Sequence, residues 1–274
     1  MSRLSDTSPE AERVLAGAYR AMSPARKWAL LGDLYRMGRD FHASGVRLRR
    51  PGATPAEIRS EWIAAHLGEI PRVSTSEEPG MDQPIDNLRV VREVIAAFDA
   101  LGIAYALGGS LASGIHGITR YTSDADVSVE PFGGLEDRLA ASFGPDYYVS
   151  VEAIRQAIRD RSTFNIINTS VGFKVDVFVR KDRPFERSLM RRRVSALMAD
   201  APDRPISVVS AEDSVLLKLE WYRLGGETSD RQWSDILGVL RIQAGRLDEA
   251  YLDLWAAGLG VADLLADARR DAVV

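Results

Sequence analysis

Three aspartates stand at positions where carboxylate chemistry could develop. Asp124 and Asp126 are separated by one residue, and Asp176 lies fifty residues further on, within the segment Phe173–Val179. Alternate side chains of a β-strand share a face, so two neighbouring strands would bring the three carboxylates together. Such close negative charges repel unless a cation lies between them, and hard oxygen ligands suit Mg²⁺. We therefore expect two Mg²⁺ ions here, an arrangement that can hold the attacking and leaving oxygens of a phosphoryl transfer.

A pair of glycines precedes the Asp-x-Asp segment. The apolar run Ile103–Leu107 predicts a buried strand, and Gly108, Gly109 and Ser110 follow it directly. Glycine lets the backbone turn sharply and approach a ligand closely. We expect a helix to begin at Ser110, with its free N–H groups directed at an anion. These residues therefore predict a phosphate site beside the metal site.

The order of these motifs resembles the nucleotidyltransferase superfamily, which has the polymerase-beta-like fold. An apolar strand, Gly-Gly-Ser, a gap of thirteen residues, Asp-x-Asp and a later Asp on its own strand carry the resemblance, which covers about residues 86 to 240. It implies that the glycine turn holds an NTP such as ATP, that Asp124 and Asp126 bind two Mg²⁺ ions, and that Asp176 binds one metal and helps to activate an acceptor hydroxyl. The implied reaction transfers NMP from the NTP and releases pyrophosphate.

The C-terminal part resembles a narrower group, the nucleotidyltransferases related to AbiEii-type abortive-infection toxins. In that group a lysine after the sheet contacts the triphosphate, and an Arg- and Asp-bearing helix lines the site. The matching positions are Lys218, Asp235 and Arg231. This resemblance implies a toxin-like enzyme acting on tRNA or other RNA, a protein or a small molecule. From helical spacing alone, Arg231 and Asp235 would form a surface ion pair one turn apart.

The order of predicted elements indicates an α/β (α+β) fold, with a mixed-sheet nucleotidyltransferase core flanked by helices. The predicted units are a helical N-terminal module (1–68), a linker rich in proline and serine (69–85), the nucleotidyltransferase core (86–209) and a C-terminal helical bundle (210–274). A module of about sixty residues has a marginal core. We therefore expect residues 8–68 to pack on the rest of the chain, on a second copy in a homodimer, or on a partner protein.

Composition narrows the class of protein. The 274 residues include no cysteine, which excludes disulfides and thiolate metal sites and fits a reducing cytoplasm. No apolar run approaches a membrane span, and the N-terminus has no apolar signal core, so we expect a cytoplasmic protein without a membrane partner. The net charge of −4 argues against broad non-specific binding to nucleic acid but leaves room for a local basic groove.

Several basic residues have two interpretations. The cluster Arg47, Arg49 and Arg50 is either a solvated helix end or a contact for RNA or phosphate. The segment Arg180–Arg193 begins where the third-aspartate strand ends, and it is either a solvated amphipathic helix or a contact for the triphosphate or the acceptor. His116, close to the glycine turn, either touches the nucleotide or simply ends its helix.

Two other classes of function stay open. The chain could be a nucleotide-binding regulator, such as one component of a toxin–antitoxin pair, and nucleotide binding without turnover would favour that class. It could also be an interaction scaffold, which binding of a partner through the N-terminal helices would favour. The three mutually repelling carboxylates favour the enzyme, because neither alternative needs to keep them together.

Overall fold

The computed structural model describes residues 7–67, 86–198 and 201–273. The helices are α1 (Pro9–Ala21), α2 (Pro24–Arg49), α3 (Pro55–Leu67), α4 (Asp86–Leu101), α5 (Gly109–His116), α6 (Glu136–Ala141), α7 (Val151–Asp160), α8 (Pro184–Arg191), α9 (Ala211–Leu224), α10 (Asp230–Ile242), α11 (Glu249–Leu259) and α12 (Ala262–Ala272). The strands are β1 (Tyr105–Leu107), β2 (Asp124–Val129), β3 (Tyr147–Val149), β4 (Thr163–Asn168), β5 (Phe173–Val179), β6 (Val194–Met198) and β7 (Ala201–Val208). None of these described helices has the length and apolar character that crossing a membrane requires.

The strands form one mixed sheet with the order β3-β4-β5-β2-β1-β7-β6. Strands β2 and β5 are parallel neighbours, as are β1 and β7, and the other neighbouring pairs are antiparallel. Helices before and between the strands pack against this sheet, including α2, α4, α5 and α7, and the helices after the last strand pack on α5 and on one another. The architecture confirms the predicted α/β class, a mixed sheet flanked by helices.

Strand β2 alternates between the core and the opposite face, as its sequence predicts. Its buried side chains are Ala125, Val127 and Val129. Asp124 and Asp126 lie on the other face and remain partly exposed. The same alternation holds along β5, but Lys174 and Asp176 are 8% and 2% exposed rather than open to solvent. They are covered because the chain before α1 and a side chain of β4 lie over them.

Serine side chains begin several of the helices. Each accepts a hydrogen bond from a backbone N–H three residues further on, which satisfies a donor that the helix leaves unpaired. These serines are Ser8, Ser23, Ser150, Ser210 and Ser229. Proline follows Ser8 and Ser23 at the first helical position, and Ser210 also donates to Asp213 Oδ2 over 2.9 Å.

The N-terminal helices pack directly on the sheet-bearing part of the chain. Helix α2 lies against α5 and β6, and its Met37 and Phe41 are buried in the main hydrophobic core. A methyl group at Gly45 would lie 1.8 Å from the carbonyl oxygen of Ile115, so α2 and α5 touch through their backbones. The predicted linker, residues 69–85, lies outside the described residues, and the division into units stays a prediction.

Candidate active site

A cleft of about 1090 Å³ runs along β2 and β5. The predicted site residues that line it are Gly108, Gly109, Ser110, Asp124, Asp126, Asp176 and Lys218. Asp235 lies behind this lining and is bonded to Lys218. The structure therefore brings the predicted phosphate turn, the three carboxylates and the predicted lysine to one concave site.

The glycine turn lies against the Asp-x-Asp strand. The backbone N–H of Gly108 donates to the carbonyl oxygen of Asp126 over 2.8 Å. Gly109 has a left-handed φ of 56°, which glycine adopts without a steric penalty. A methyl group at Gly109 would lie 1.7 Å from Asp126 Oδ2. The turn therefore requires glycine both for its backbone conformation and for its approach to the carboxylate.

The expected helix start at Ser110 is wrong by one residue. Helix α5 begins at Gly109, because this glycine makes the left-handed turn itself, and no side chain caps the helix at Gly108. The hydroxyl of Ser110 is used differently, since its Oγ accepts a hydrogen bond of 2.5 Å from Arg120 Nη2.

The three aspartates occupy neighbouring positions of two parallel strands. Asp126 is paired with Asp176 across β2 and β5, and Asp124 is paired with Lys174. Thr122, just before β2, donates from Oγ1 to Asp124 Oδ1 over 2.6 Å and so fixes the orientation of that carboxylate. The side-chain alternation of both strands places these groups on the same face of the sheet.

The carboxylate of Asp176 is enclosed by hydrogen-bond donors. Asn165 Nδ2 donates to Oδ1 over 2.6 Å, and Lys174 Nζ donates to Oδ2 over 2.5 Å. Burial raises the pKa of Asp176 to about 6; the positive charge of Lys174 opposes this shift and the negative charge of Asp124 adds to it. Asp176 is thus able to exchange a proton near neutral pH.

Asp124 and Asp126 are better suited than Asp176 to hold a metal ion. Within the described parts of the chain, no three or more His, Cys, Asp or Glu side chains are grouped so that they could hold one. Both oxygens of Asp176 accept hydrogen bonds from Asn165 and Lys174, and Asp124 and Asp126 present further hard oxygen donors along the cleft. These two carboxylates suit one divalent cation whose remaining ligands are phosphate oxygens and water. A second ion at Asp176 would require Lys174 to turn away, and the expectation of two ions stays a prediction.

A cluster of cations faces the acidic strand from the helical side of the cleft. Asp235, 4% exposed, accepts from Arg120 Nε over 2.9 Å, from Arg120 Nη2 over 3.0 Å and from Lys218 Nζ over 2.8 Å. Two cations share one carboxylate, which leaves one positive charge in excess. Since Arg120 also reaches Ser110, this excess charge lies at the beginning of α5, where free N–H groups already favour an anion.

The predicted surface pair between Arg231 and Asp235 is wrong. Asp235 is buried because this face of α10 packs against α5 and α9. Its partners are Lys218 of α9 and Arg120, which lies between α5 and β2. Arg231 is exposed at the rim of the cleft. Helical spacing places Arg231 and Asp235 near each other along one helix, but it does not give the direction in which that helix faces its neighbours.

Sequence reasoning missed four residues of the site. Arg120 and Thr122 continue the alternate spacing of Asp124 and Asp126 toward the N-terminus, so the pattern Arg-x-Thr-x-Asp-x-Asp was a usable signal. Lys174 shares a strand face with Asp176, which was a second usable signal. Asn165 comes to Asp176 through the antiparallel register of β4 and β5, and its sequence position carried no comparable signal.

Several of the other basic candidates have protein partners. His116 is buried, and its Nε2 lies 2.7 Å from the carbonyl oxygen of Val209, which favours a structural role over contact with a nucleotide. Arg49 and Arg50 both bond Glu61. In the segment after β5, the ion pairs include Arg180–Glu130 at 2.7 Å and Arg183–Glu220 at 2.7 Å. Arg180 and Arg183 nevertheless line the cleft.

Comparison with known proteins adds one distant likeness. No family model matches the sequence, and no curated protein matches it. Among solved structures, the chain is similar to the solution structure of the antibiotic-resistance factor ANT(2'')-Ia, with 12% sequence identity and a TM-score of 0.39. The match covers 66% of this chain and 97% of that chain. A likeness of this strength carries no argument about activity, so the function of this chain is inferred from its own residues.

Proposed function

We propose that the protein is a Mg²⁺-dependent nucleotidyltransferase that moves NMP from an NTP to an acceptor hydroxyl and releases pyrophosphate. One observation carries the proposal: a pair of carboxylates and a cluster with excess positive charge contribute to the lining of a single cleft. The carboxylates Asp124 and Asp126 suit a metal ion, and the seat formed by Arg120, Lys218 and Asp235 suits a polyphosphate.

The positive seat would hold the β- and γ-phosphates. Ser110 and the N–H groups at the beginning of α5 would donate to phosphate oxygens, and Lys218 and Arg120 would neutralise their charge. Asp235 would keep both cations in place before the nucleotide arrives, since it bonds each of them within 3.0 Å. A site organised in advance loses less free energy on ordering its side chains during binding.

The acidic strand would position the reacting phosphate. Asp124 and Asp126 would hold Mg²⁺, which when bound would neutralise the developing negative charge on the transferred phosphate. Thr122 would keep the Asp124 carboxylate directed into the cleft through its 2.6 Å hydrogen bond. Asp176 would orient the acceptor hydroxyl and take its proton, which its pKa of about 6 permits at neutral pH.

The class of acceptor is tested directly by labelling. The full chain would be incubated with each α-labelled NTP and Mg²⁺, together with total tRNA, a cell lysate or no addition. Label in RNA that disappears in the Asp124→Ala/Asp126→Ala variant would support a toxin-like RNA modifier, and label on protein would support NMP transfer to protein. NTP-dependent thermal stabilisation without any label would favour the regulator. Absence of both label and stabilisation would contradict the nucleotide site.

A further inference from the structure

Thr7 presents a hydroxyl at the acidic end of the cleft. Its Oγ1 accepts a hydrogen bond of 2.6 Å from Lys174 Nζ, and the same ammonium donates to Asp176 Oδ2 over 2.5 Å. A single ammonium group therefore links this hydroxyl to the Asp176 carboxylate. Thr7 also lines the cleft together with Asp124 and Asp126.

The chain around Thr7 is held in this position by several contacts. The backbone N–H of Ser8 donates to Asn165 Oδ1 over 3.3 Å, and Asn165 in turn donates to Asp176. Helix α1 then packs along β4, and Tyr19 lies near enough to Asp124 for that charge to add to the effect of burial in raising the tyrosine pKa. Both the segment and the first helix are therefore bound to the acidic side of the cleft.

We propose that the protein transfers NMP to Thr7 of its own chain. This inference rests on the proposed function and names one acceptor for it. Thr7 Oγ1 would form a bond to the α-phosphorus while the bond from that phosphorus to the bridging oxygen of pyrophosphate breaks. The hydroxyl proton would pass to the Asp176 carboxylate as Lys174 turns away, and pyrophosphate would leave with the bonding electron pair.

Proximity favours Thr7 over an acceptor from solution. An acceptor tethered beside the reacting groups avoids the entropy loss of a bimolecular encounter. Thr7 precedes the first described helix and is partly exposed, so a nucleotide attached to it could extend into the cleft. The modified residue would occupy the acceptor end of the cleft and limit further transfer.

The test uses the full chain, each α-labelled NTP and Mg²⁺, with no other acceptor present. We expect the intact mass of the protein to increase by one NMP group. Peptide mapping should locate this group at Thr7. Thr7→Val, which keeps the shape without the hydroxyl, would lose the label, whereas Thr7→Ser would retain it. Thr228→Val is the matched control, because that threonine is exposed and lies outside the cleft lining. Label at a residue other than Thr7, or equal label in Thr7→Val, would overturn the proposal.

A mixing experiment tests whether the transfer is within one chain. An Asp126→Asn chain with an intact Thr7 would be incubated with an active Thr7→Val chain, and it should stay unlabelled. Label on the Asp126→Asn chain would overturn transfer within one chain. If the wild-type chain labels an added RNA or protein but never itself, self-transfer is wrong while the proposed function stands. If the wild-type chain neither binds nor turns over any NTP, both self-transfer and the proposed function are wrong.

Discussion

Gly109 and Asp126 are in such close contact that a methyl group on the glycine would lie 1.7 Å from the carboxylate oxygen Oδ2. The glycine is the first residue of α5, and the aspartate belongs to the middle of β2. The proposed phosphate site and the proposed metal site would therefore not be independent of each other. Any shift of the turn displaces a carboxylate, and any shift of the carboxylate displaces the turn.

Gly109→Ala should destabilise the fold and remove transfer activity. The alanine would have to keep a left-handed φ of 56°, and its methyl group would displace Asp126. We expect the free energy of unfolding to fall by roughly 1–3 kcal/mol, as measured by urea titration. Gly133→Ala is the matched control, because a methyl group there meets no atom within 4 Å. A Gly109→Ala protein with normal stability and activity would contradict this reading of the turn.

Asp126→Asn should abolish NMP transfer without loss of stability. The substitution keeps the shape of the side chain but removes a charge that would hold the metal ion and that repels its acidic neighbours. The free energy of unfolding in the absence of metal should be equal to that of the wild type or higher. Asp137→Asn, on an exposed position of α6, serves as the control and should keep full activity. The labelling rate and a urea titration measure both effects, and a still active Asp126→Asn would rule out the mechanism.

Asp235→Ala should destabilise the protein and weaken polyphosphate binding. It leaves Lys218 and Arg120 without their shared carboxylate, and removal of one partner from a buried pair costs about 3–5 kcal/mol. We expect a loss at the lower end of this range, because the Arg120 side chain is 32% exposed and can be hydrated. Asp230→Ala, exposed on the same helix, should change stability by only a few tenths of a kcal/mol. Calorimetric titration with inorganic tripolyphosphate would report the affinity. Unchanged stability and affinity would argue against a polyphosphate site built on Arg120, Lys218 and Asp235.

The stability of the protein should depend on pH through Asp213 of α9. Burial raises the pKa of this carboxyl to about 6, against the hydrogen bonds from Tyr251 and Ser210. A raised pKa in the fold means that the folded chain holds the proton more tightly than the unfolded chain does. Its favourable contribution is therefore present below about pH 4 and is lost as the pH rises through about 6.

Comparison with Asp213→Asn isolates this contribution. The difference in unfolding free energy, wild type minus variant, should decrease between pH 4 and pH 7 by roughly 2–3 kcal/mol. Urea titrations of both proteins across this range would measure it. A difference that does not change with pH would show that Asp213 titrates alike in the folded and unfolded chains.

The sequence predicts local features of this site better than long-range ones. The alternation of Asp124 and Asp126 with buried aliphatic residues follows from strand geometry alone, and the fold class follows from the order of the elements. The burial of Asp176 could not be predicted from the sequence, because it involves a hydrogen bond between Lys174 and Thr7, which are 167 positions apart in the chain. Asp235 shows the same limit, since its partners Arg120 and Lys218 come from other parts of the fold.

The contact between Gly45 and Ile115 joins α2 to α5, the helix that begins at the proposed phosphate site. Helix α5 has eight residues and is about 12 Å long, with its first residues at the cleft and its last turn against α2. Arg49 of α2 also lies 3.5 Å from the same Ile115 carbonyl oxygen. Because α5 spans only about 12 Å between this contact and the cleft, a ligand that displaces α2 would be expected to shift the Gly109 end of α5 and so alter the proposed nucleotide site.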